Sequence, residues 1–242
     1  MHGLGERKGE HVRLKADFLP LKKGGARGIY PLMDLQKLTV KFFTMPPDRV
    51  PLTDFIEIFH GWIQATDGIY HDVADYSHMK SGPGIVLVAQ QANLHIDETG
   101  GRRGLLYCQK APLSGANHKR LRTVLRTALE NCHRLEREPA LQGRIRFSGD
   151  EVLITVNDRL PAPNDIETYE RLKPELELMA AELFRPAKAT INHKQDPRQR
   201  FSVAIRAFEP LSLDALIANL NVGITERDKE LGHATAKNPH VI

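Results

Sequence analysis

Asp72, Asp75 and His78 fall within one short segment, and His95 and Asp97 follow in a neighbouring apolar stretch. A carboxylate beside an imidazole is the ordinary general acid–base couple, and the same side chains ligate a divalent metal when three or four converge. Asp75 and His78 are therefore the candidate catalytic pair. A metal would need His95 or Asp97 as further ligands, and nothing in the residues names a metal or a cofactor. Between the pair and Gln90 runs SGPG, Ser81 to Gly84. Glycine-rich backbone can cradle an anion, but Pro83 removes one N–H donor and a strand rather than a helix N-terminus follows, so a structural turn is the competing account. Asp72, Ser81, Gly82, Gly84 and Gln90 make up the candidate ligand-binding set. The bland alternative has both carboxylates bonding loop backbone and the histidines solvated.

These residues need strands to hold them. Tyr70 to Tyr76 alternates, Gly84 to Gln90 is apolar almost throughout, Asn93 to Asp97 alternates around Leu94 and Ile96, and Leu105 to Gln109 completes a run of four short strands. IVLVA, apolar at every position, predicts burial on both faces in mid-sheet. The loop before it then lies at a sheet end, and the glycines of ETGGRRG suit positive φ. Lys37 to Thr44 predicts a first strand with Leu38, Val40 and Phe42 on one face, and Leu52 to Ala65 a helix with Phe55, Ile58, Phe59, Trp62 and Ile63 at helical spacing.

Asn117 to Glu138 carries the longest apolar stripe, Leu121 to Leu135, with Lys119, Arg122 and Arg126 in a basic row beside it. Those cations sit in the half of the helix where the macrodipole disfavours them, so acidic neighbours or solvation must offset them. Further on, strands at Arg144 to Phe147 and Val152 to Asp158 precede a helix from Asp165 to Phe184, which Pro174 should divide. Strands at Lys188 to His193 and Phe201 to Phe208 precede a shorter helix from Ser212. Two strand–strand–helix units in a row suggest an internal repeat. Cys108, near a strand end, reads as a small core residue.

The sum is an α+β fold: a mixed, largely antiparallel sheet of about eight or nine strands with helices covering one face. Residues 1–32 read as a flexible basic tail or an over-extended start ahead of Met33, residues 33–222 as one domain with a subdivision near Gln142 as the contrary plan, and residues 223–242 as a polar tail. Residues 1–32 hold seven of the 34 basic and three of the 30 acidic side chains, so the remainder carries 27 of each. That balance argues against a dedicated nucleic-acid surface. With two cysteines and no apolar run near the ~20 residues of a membrane span, the chain reads as soluble and cytoplasmic.

No phosphate-loop, GxGxxG, HExxH, GxSxG or CxxC signature is present. KLTVKFF, DVADYSHMKSGPGIVLV, GRRGLLY and LEREPALQGRIRF together resemble an uncharacterised bacterial protein family without assigned function, over roughly residues 33–208. The resemblance implies a bacterial cytosolic protein and carries no activity with it. Three functions follow in order of support. First comes a small-molecule-binding protein or enzyme with its site at the strand ends around residues 72–91. A protein-interaction or assembly module, including a homo-oligomer, is second, and a weak nucleic-acid binder using the basic tail with Lys119, Arg122 and Arg126 is third.

Overall fold

LTVKFFT forms β1 (Leu38–Thr44), and its alternate residues Leu38, Val40 and Phe42 are fully buried. The computed structural model describes residues 33–79 and 81–222, and the fold treated below is built from Leu35 onward. Expectations that fall on residues 1–32, Lys80 and residues 223–242 lie outside the described residues. β1 pairs on one side with β5 (Gly104–Gln109) and on the other with β6 (Phe147–Val156). Beyond β5 come β4 (Ala92–Asp97), β3 (Gly84–Ala89) and β2 (Tyr70–Tyr76). Beyond β6 come β8 (Phe201–Ala207) and β7 (Ala189–His193). The order β2-β3-β4-β5-β1-β6-β8-β7 makes one sheet of eight strands, and every neighbouring pair is antiparallel.

Among the described residues four helices lie against the face that carries Leu38, Val40 and Phe42. They are α1 (Asp54–Ala65), α2 (Asn117–Glu136), α3 (Ile166–Leu183) and α4 (Leu213–Asn221). α1 buries Phe55, Ile58, Phe59 and Trp62 at the expected spacing, and α2 buries Leu121, Val124, Leu125, Ala128, Leu129, Cys132 and Leu135. Asp165 and Ser212 accept hydrogen bonds from the amides of Thr168 and Ala215, which satisfies a free N–H at the start of α3 and of α4. Trp62 of α1 donates to Glu138 at 2.9 Å, and Arg134 of α2 stacks 3.7 Å above its ring. This contact ties the outlying α1 to α2 through a cation–π interaction of about 0.5–2 kcal/mol.

The chain traces the same path twice. It leaves β1, crosses through α1 to the outermost strand on one side, and returns as the meander β2 to β5 before ending on α2. It then leaves β6, crosses through α3 to the outermost strand on the other side, and returns through β8 to end on α4. The suggested strand–strand–helix repeat is thus replaced by a strand–helix–meander–helix plan of unequal size. Its first unit also lacks the expected hairpin: Ser148-Gly149-Asp150 lies inside a single strand, β6, at a register shift opposite Phe42 to Thr44. The division near Gln142 does not separate two sheets, because β1 pairs with strands on both sides of it.

Two further expectations change. α3 continues through Pro174, whose ring and the preceding-turn residue Glu170 both lie on the exposed face, where the carbonyl that Pro174 leaves unbonded is open to solvent. β3 is next to the sheet edge, not central. Its Ile85, Leu87 and Ala89 face the helices, while Val86 and Val88 face the other way. On that face Val86 lies between Ala74 and His95 and Val88 between Asp72 and Asn93, so the unbroken apolar run does not mark a central strand.

Gly84 opens β3 with φ +64°, and a Cβ there would stand 1.9 Å from the carbonyl oxygen of Ile96. Both the left-handed backbone and the approach of β4 demand glycine. Gly84→Ala should therefore lower the free energy of unfolding by about 2 kcal/mol or more, read from urea denaturation. A neutral substitution would contradict this tight strand contact.

Candidate functional site

The face without helices is ordered in rows that the strand register dictates. Val86, His95, Leu106, Lys41, Leu153 and Ala204 stand side by side in a middle row. Toward one end of the strands comes a row of small polar and thiol groups, with Asn93, Cys108, Thr39, Thr155 and Ser202 in register. Toward the other end lie Asp97, Gly104 and Phe43, then Glu151 and Arg206 beyond the irregularity between β1 and β6. This charged end is the candidate site.

Lys41 rises from the middle of β1 and turns its ammonium toward the charged end. There it donates to Asp97 Oδ2 at 2.5 Å and to the carbonyls of Arg102 at 2.6 Å and Thr99 at 3.4 Å, so all three N–H bonds have acceptors. Both side chains are almost sealed from solvent, Lys41 at 3% exposure and Asp97 at 4%. Burial pulls the Lys41 pKa below its ordinary value, and Asp97 opposes that shift. Asp97 also accepts from the amide and hydroxyl of Thr99, which starts the 3-10 turn Thr99–Gly101. Gly104 makes room for the arrangement, since a Cβ there would lie 2.3 Å from the Phe42 carbonyl oxygen and 3.0 Å from Lys41 Cε.

The loop so fixed delivers two arginines. Arg102 lies 3.8 Å above the Phe43 ring and binds Glu151 with both terminal nitrogens, at 3.0 and 2.8 Å. Arg206 of β8 reaches the same carboxylate at 2.6 Å. Glu151 is 7% exposed, whereas Arg102 and Arg206 are 52% and 56% exposed. The Arg102 hydrogen bond, joined by Arg206, holds the Glu151 carboxyl below the usual carboxylate range. Arg103 turns the other way, to Glu98 at 2.6 Å and Asp48 at 3.0 Å. An open cleft of about 570 Å³ is lined by Phe43, Pro46, Asp48, Glu98, Arg102 and Arg103.

The residues singled out in the sequence are placed differently. Asp75 pairs across β2 and β3 with Ile85, and Ile85 with Ile96, so Asp75 sits on the helix side while His95 and Asp97, flanking Ile96, sit on the other. The geometry does not bring Asp75 together with His95 and Asp97. Asp75 accepts from the Ser77 amide at 2.7 Å, and hydrogen bonding from Ser77 holds its pKa below the usual range. Asp72 accepts from the Val73 amide, while His78 and Ser81 are exposed. Gly82 donates its amide to Met79 and closes the turn. Gln90 lies past the far end of β3, about 20 Å of strand from Gly84. Among the described residues no group of three or more His, Cys, Asp or Glu side chains could hold a metal ion.

Cys108 is half-buried on the helix-free face, not in the core, and its sulfur accepts from Asn157 at 3.4 Å. In the basic row of α2, Arg122 donates to Glu182 of α3 at 2.8 Å and Arg126 lies 3.6 Å from Glu130. Acidic neighbours thus offset these two cations. Lys41, Arg102, Arg103, Glu151 and Arg206 were not legible as a set. The one signal was a single charge, Lys41, inside the strand LTVKFFT.

His95 stands in the middle row between Val86 and Leu106, and its Nε2 is buried without a hydrogen-bond partner among the described residues. Burial lowers its pKa from 6.5 to about 4, with Asp97 pulling weakly the other way. The unfolded chain takes up a proton near 6.5 and the folded chain only near 4, so this contribution to stability is complete above 6.5 and is lost as pH falls toward 4. Replacing His95 by Leu should flatten the pH dependence of the unfolding free energy, read from urea denaturation, across that window by up to about 1.4 kcal/mol per pH unit. A second test concerns the ion pair. Lys41→Met strands Asp97 and should cost about 3–5 kcal/mol, whereas Lys41→Met with Asp97→Leu should cost clearly less than the two single changes combined. No family model, no characterised protein and no solved structure matches the chain, so its site is read from its own geometry.

Proposed function

We propose that the protein binds a small molecule carrying both a negative and a positive group, in the cleft beside Phe43. The observation that supports this is the separation of charge along the cleft. At one pole the two half-exposed guanidinium groups of Arg102 and Arg206 flank the buried carboxylate of Glu151, with Asp150 also acting on Arg102. At the other pole Asp48 and Glu98 share the single guanidinium of Arg103, an excess of one negative charge. The Phe43 ring and Pro46 lie in the cleft wall with them.

Each pole is held in place before any ligand arrives, which keeps the ordering cost of binding low. Arg102 is fixed by Phe43 below and Glu151 beside it, and it keeps outward N–H bonds for a carboxylate or phosphate oxygen. Glu98, more exposed than Asp48, is the acceptor available to an ammonium group. A zwitterion of amino-acid size satisfies both poles, with its apolar part against the ring. No helix among the described residues is long and apolar enough to cross a membrane. With Cys108 and Cys132 both free thiols, a reducing cytoplasm is the setting we propose.

Free L-leucine, its amide and the matching carboxylic acid without the amine separate the two poles. Leucine at a hundredfold excess over its Kd should stabilise the fold by about 2.7 kcal/mol, and the two single-charge analogues should do far less. Arg102→Gln and Glu98→Gln should each abolish the shift. Equal binding of the three compounds, or binding unaffected by both substitutions, would remove the proposal, as would the absence of any shift with leucine and with a panel of the other free amino acids.

A further inference from the structure

We infer that the open edge of β7 takes an extended peptide of another protein as an added strand, one with a carboxylate at each end of a five-residue run. Among the described residues β7 pairs only with β8, so its other side is a free edge. The Phe208 amide donates to the Lys188 carbonyl across that pair. Bonded pairs alternate along an antiparallel ladder, so Thr190 and Asn192 also turn their backbone groups to β8, while Ala189, Ile191 and His193 turn theirs outward. The opposite edge of the sheet is obstructed. There the Asp72 carboxylate occupies the Val73 amide at 2.8 Å, and the register of β2 shifts between Tyr70 and Asp72. β7 has neither device, and its sequence ATINH holds no proline, lysine or carboxylate to repel a strand.

A cleft of about 610 Å³ runs beside this edge, with Tyr169, Ala180 and Ala181 of α3 on one wall and Ala189 and Ile191 of β7 on the other. Phe208, 70% exposed, also lines it. Ala189 and Ile191 pair with the buried Ala207 and Ile205 and so lie on the helix side of the sheet. An added strand directs the side chains opposite them into the same cleft. The alanines fill little of that space, which therefore suits branched apolar side chains. Main-chain hydrogen bonds supply affinity in such strand addition, and pockets for alternate side chains supply specificity.

The charges around the edge select the partner. Lys188 and Lys194 flank β7 at its two ends, and both are exposed. Arg185 joins Lys188 in lining the cleft, against the single carboxylate of Glu177. Near Lys194 the Asp196 carboxylate is engaged by Arg198 at 3.2 Å. A second copy of the chain is the poorer partner. The antiparallel register that pairs all of Ala189, Ile191 and His193 centres on Ile191, and it sets Lys188 of each copy opposite Lys194 of the other. Like charges directly opposite destabilise a strand pair. A segment with an acidic residue at each end of its five-residue run puts a carboxylate opposite each lysine instead.

The probe is a capped heptapeptide with glutamate at both ends, valine at its centre, leucine at its sixth position and threonine elsewhere. Titrated to about 1 mM against the full chain, it should give saturable NMR shifts at the amides of Ala189, Ile191 and His193 and none at Val73. N-methylation of the central valine, whose amide bonds Ile191, should weaken binding by about tenfold, whereas N-methylation of the threonine after it, whose amide points away from β7, should change it by less than about twofold. Glutamine for either glutamate should weaken binding roughly threefold. Ala189→Pro removes an outward donor and leaves the ladder to β8 intact, so it should keep the circular dichroism spectrum and lose the peptide. Failure to saturate over that range overturns the inference, and so does an equal loss from the two methylations. A dimer in sedimentation equilibrium that Ala189→Pro dissolves gives the edge to a second copy and overturns it too.

Discussion

A lysine ammonium buried in the middle of a sheet must find acceptors, and in this protein almost everything at the charged end follows from where Lys41 finds them. It reaches Asp97 and two carbonyls of the β4–β5 loop. That requirement draws the loop down over the strand ends. Arg102 thereby comes to rest on Phe43 within reach of Glu151, and Arg103 is directed to Asp48 and Glu98. Ion pairs of this kind contribute little net stability compared with apolar residues of the same volume. What Lys41 and Asp97 supply is position. They convert a glycine-rich loop, otherwise free to sample many shapes, into a support for two guanidinium groups.

Much of the architecture was legible in the sequence because it depends on local pattern. Period-two alternation located β1, β2, β4 and β5 to within a residue or two, and the apolar stripe of α2 named its buried face. The paired glycines before Arg102 have the positive φ that their composition suggested. What the sequence could not reveal is set by register between distant strands. Asp75 and Asp97 look like partners along the chain, yet the pairing of Asp75 with Ile85 and of Ile85 with Ile96 puts them on opposite faces of the sheet. Conversely Lys41, Arg102, Glu151 and Arg206 are spread over four segments, and only the order β5-β1-β6-β8 gathers them.

IVLVA illustrates how one composition has two physical causes. An unbroken apolar strand signals apolar surroundings on both faces, and central burial is the common way to provide them. β3 lies one strand from the edge instead, with Val86 buried between Ala74 and His95 and Val88 half-buried between Asp72 and Asn93. The composition of the strand alone therefore misplaced it in the sheet order.

The position of β1 also shapes how the chain must assemble as it is synthesised. Among the described strands β1 is made first and ends up in the centre, yet its nearest partner begins at Gly104 and the next at Phe147. The hairpins β2 to β5 can form from neighbouring residues while β1 waits for contacts distant in sequence. During that interval LTVKFFT is an unpaired segment of high strand propensity, the kind that associates with other nascent chains. A single charge inside such a segment restrains intermolecular stacking. Lys41 is the one charge that this segment carries before it meets Asp97.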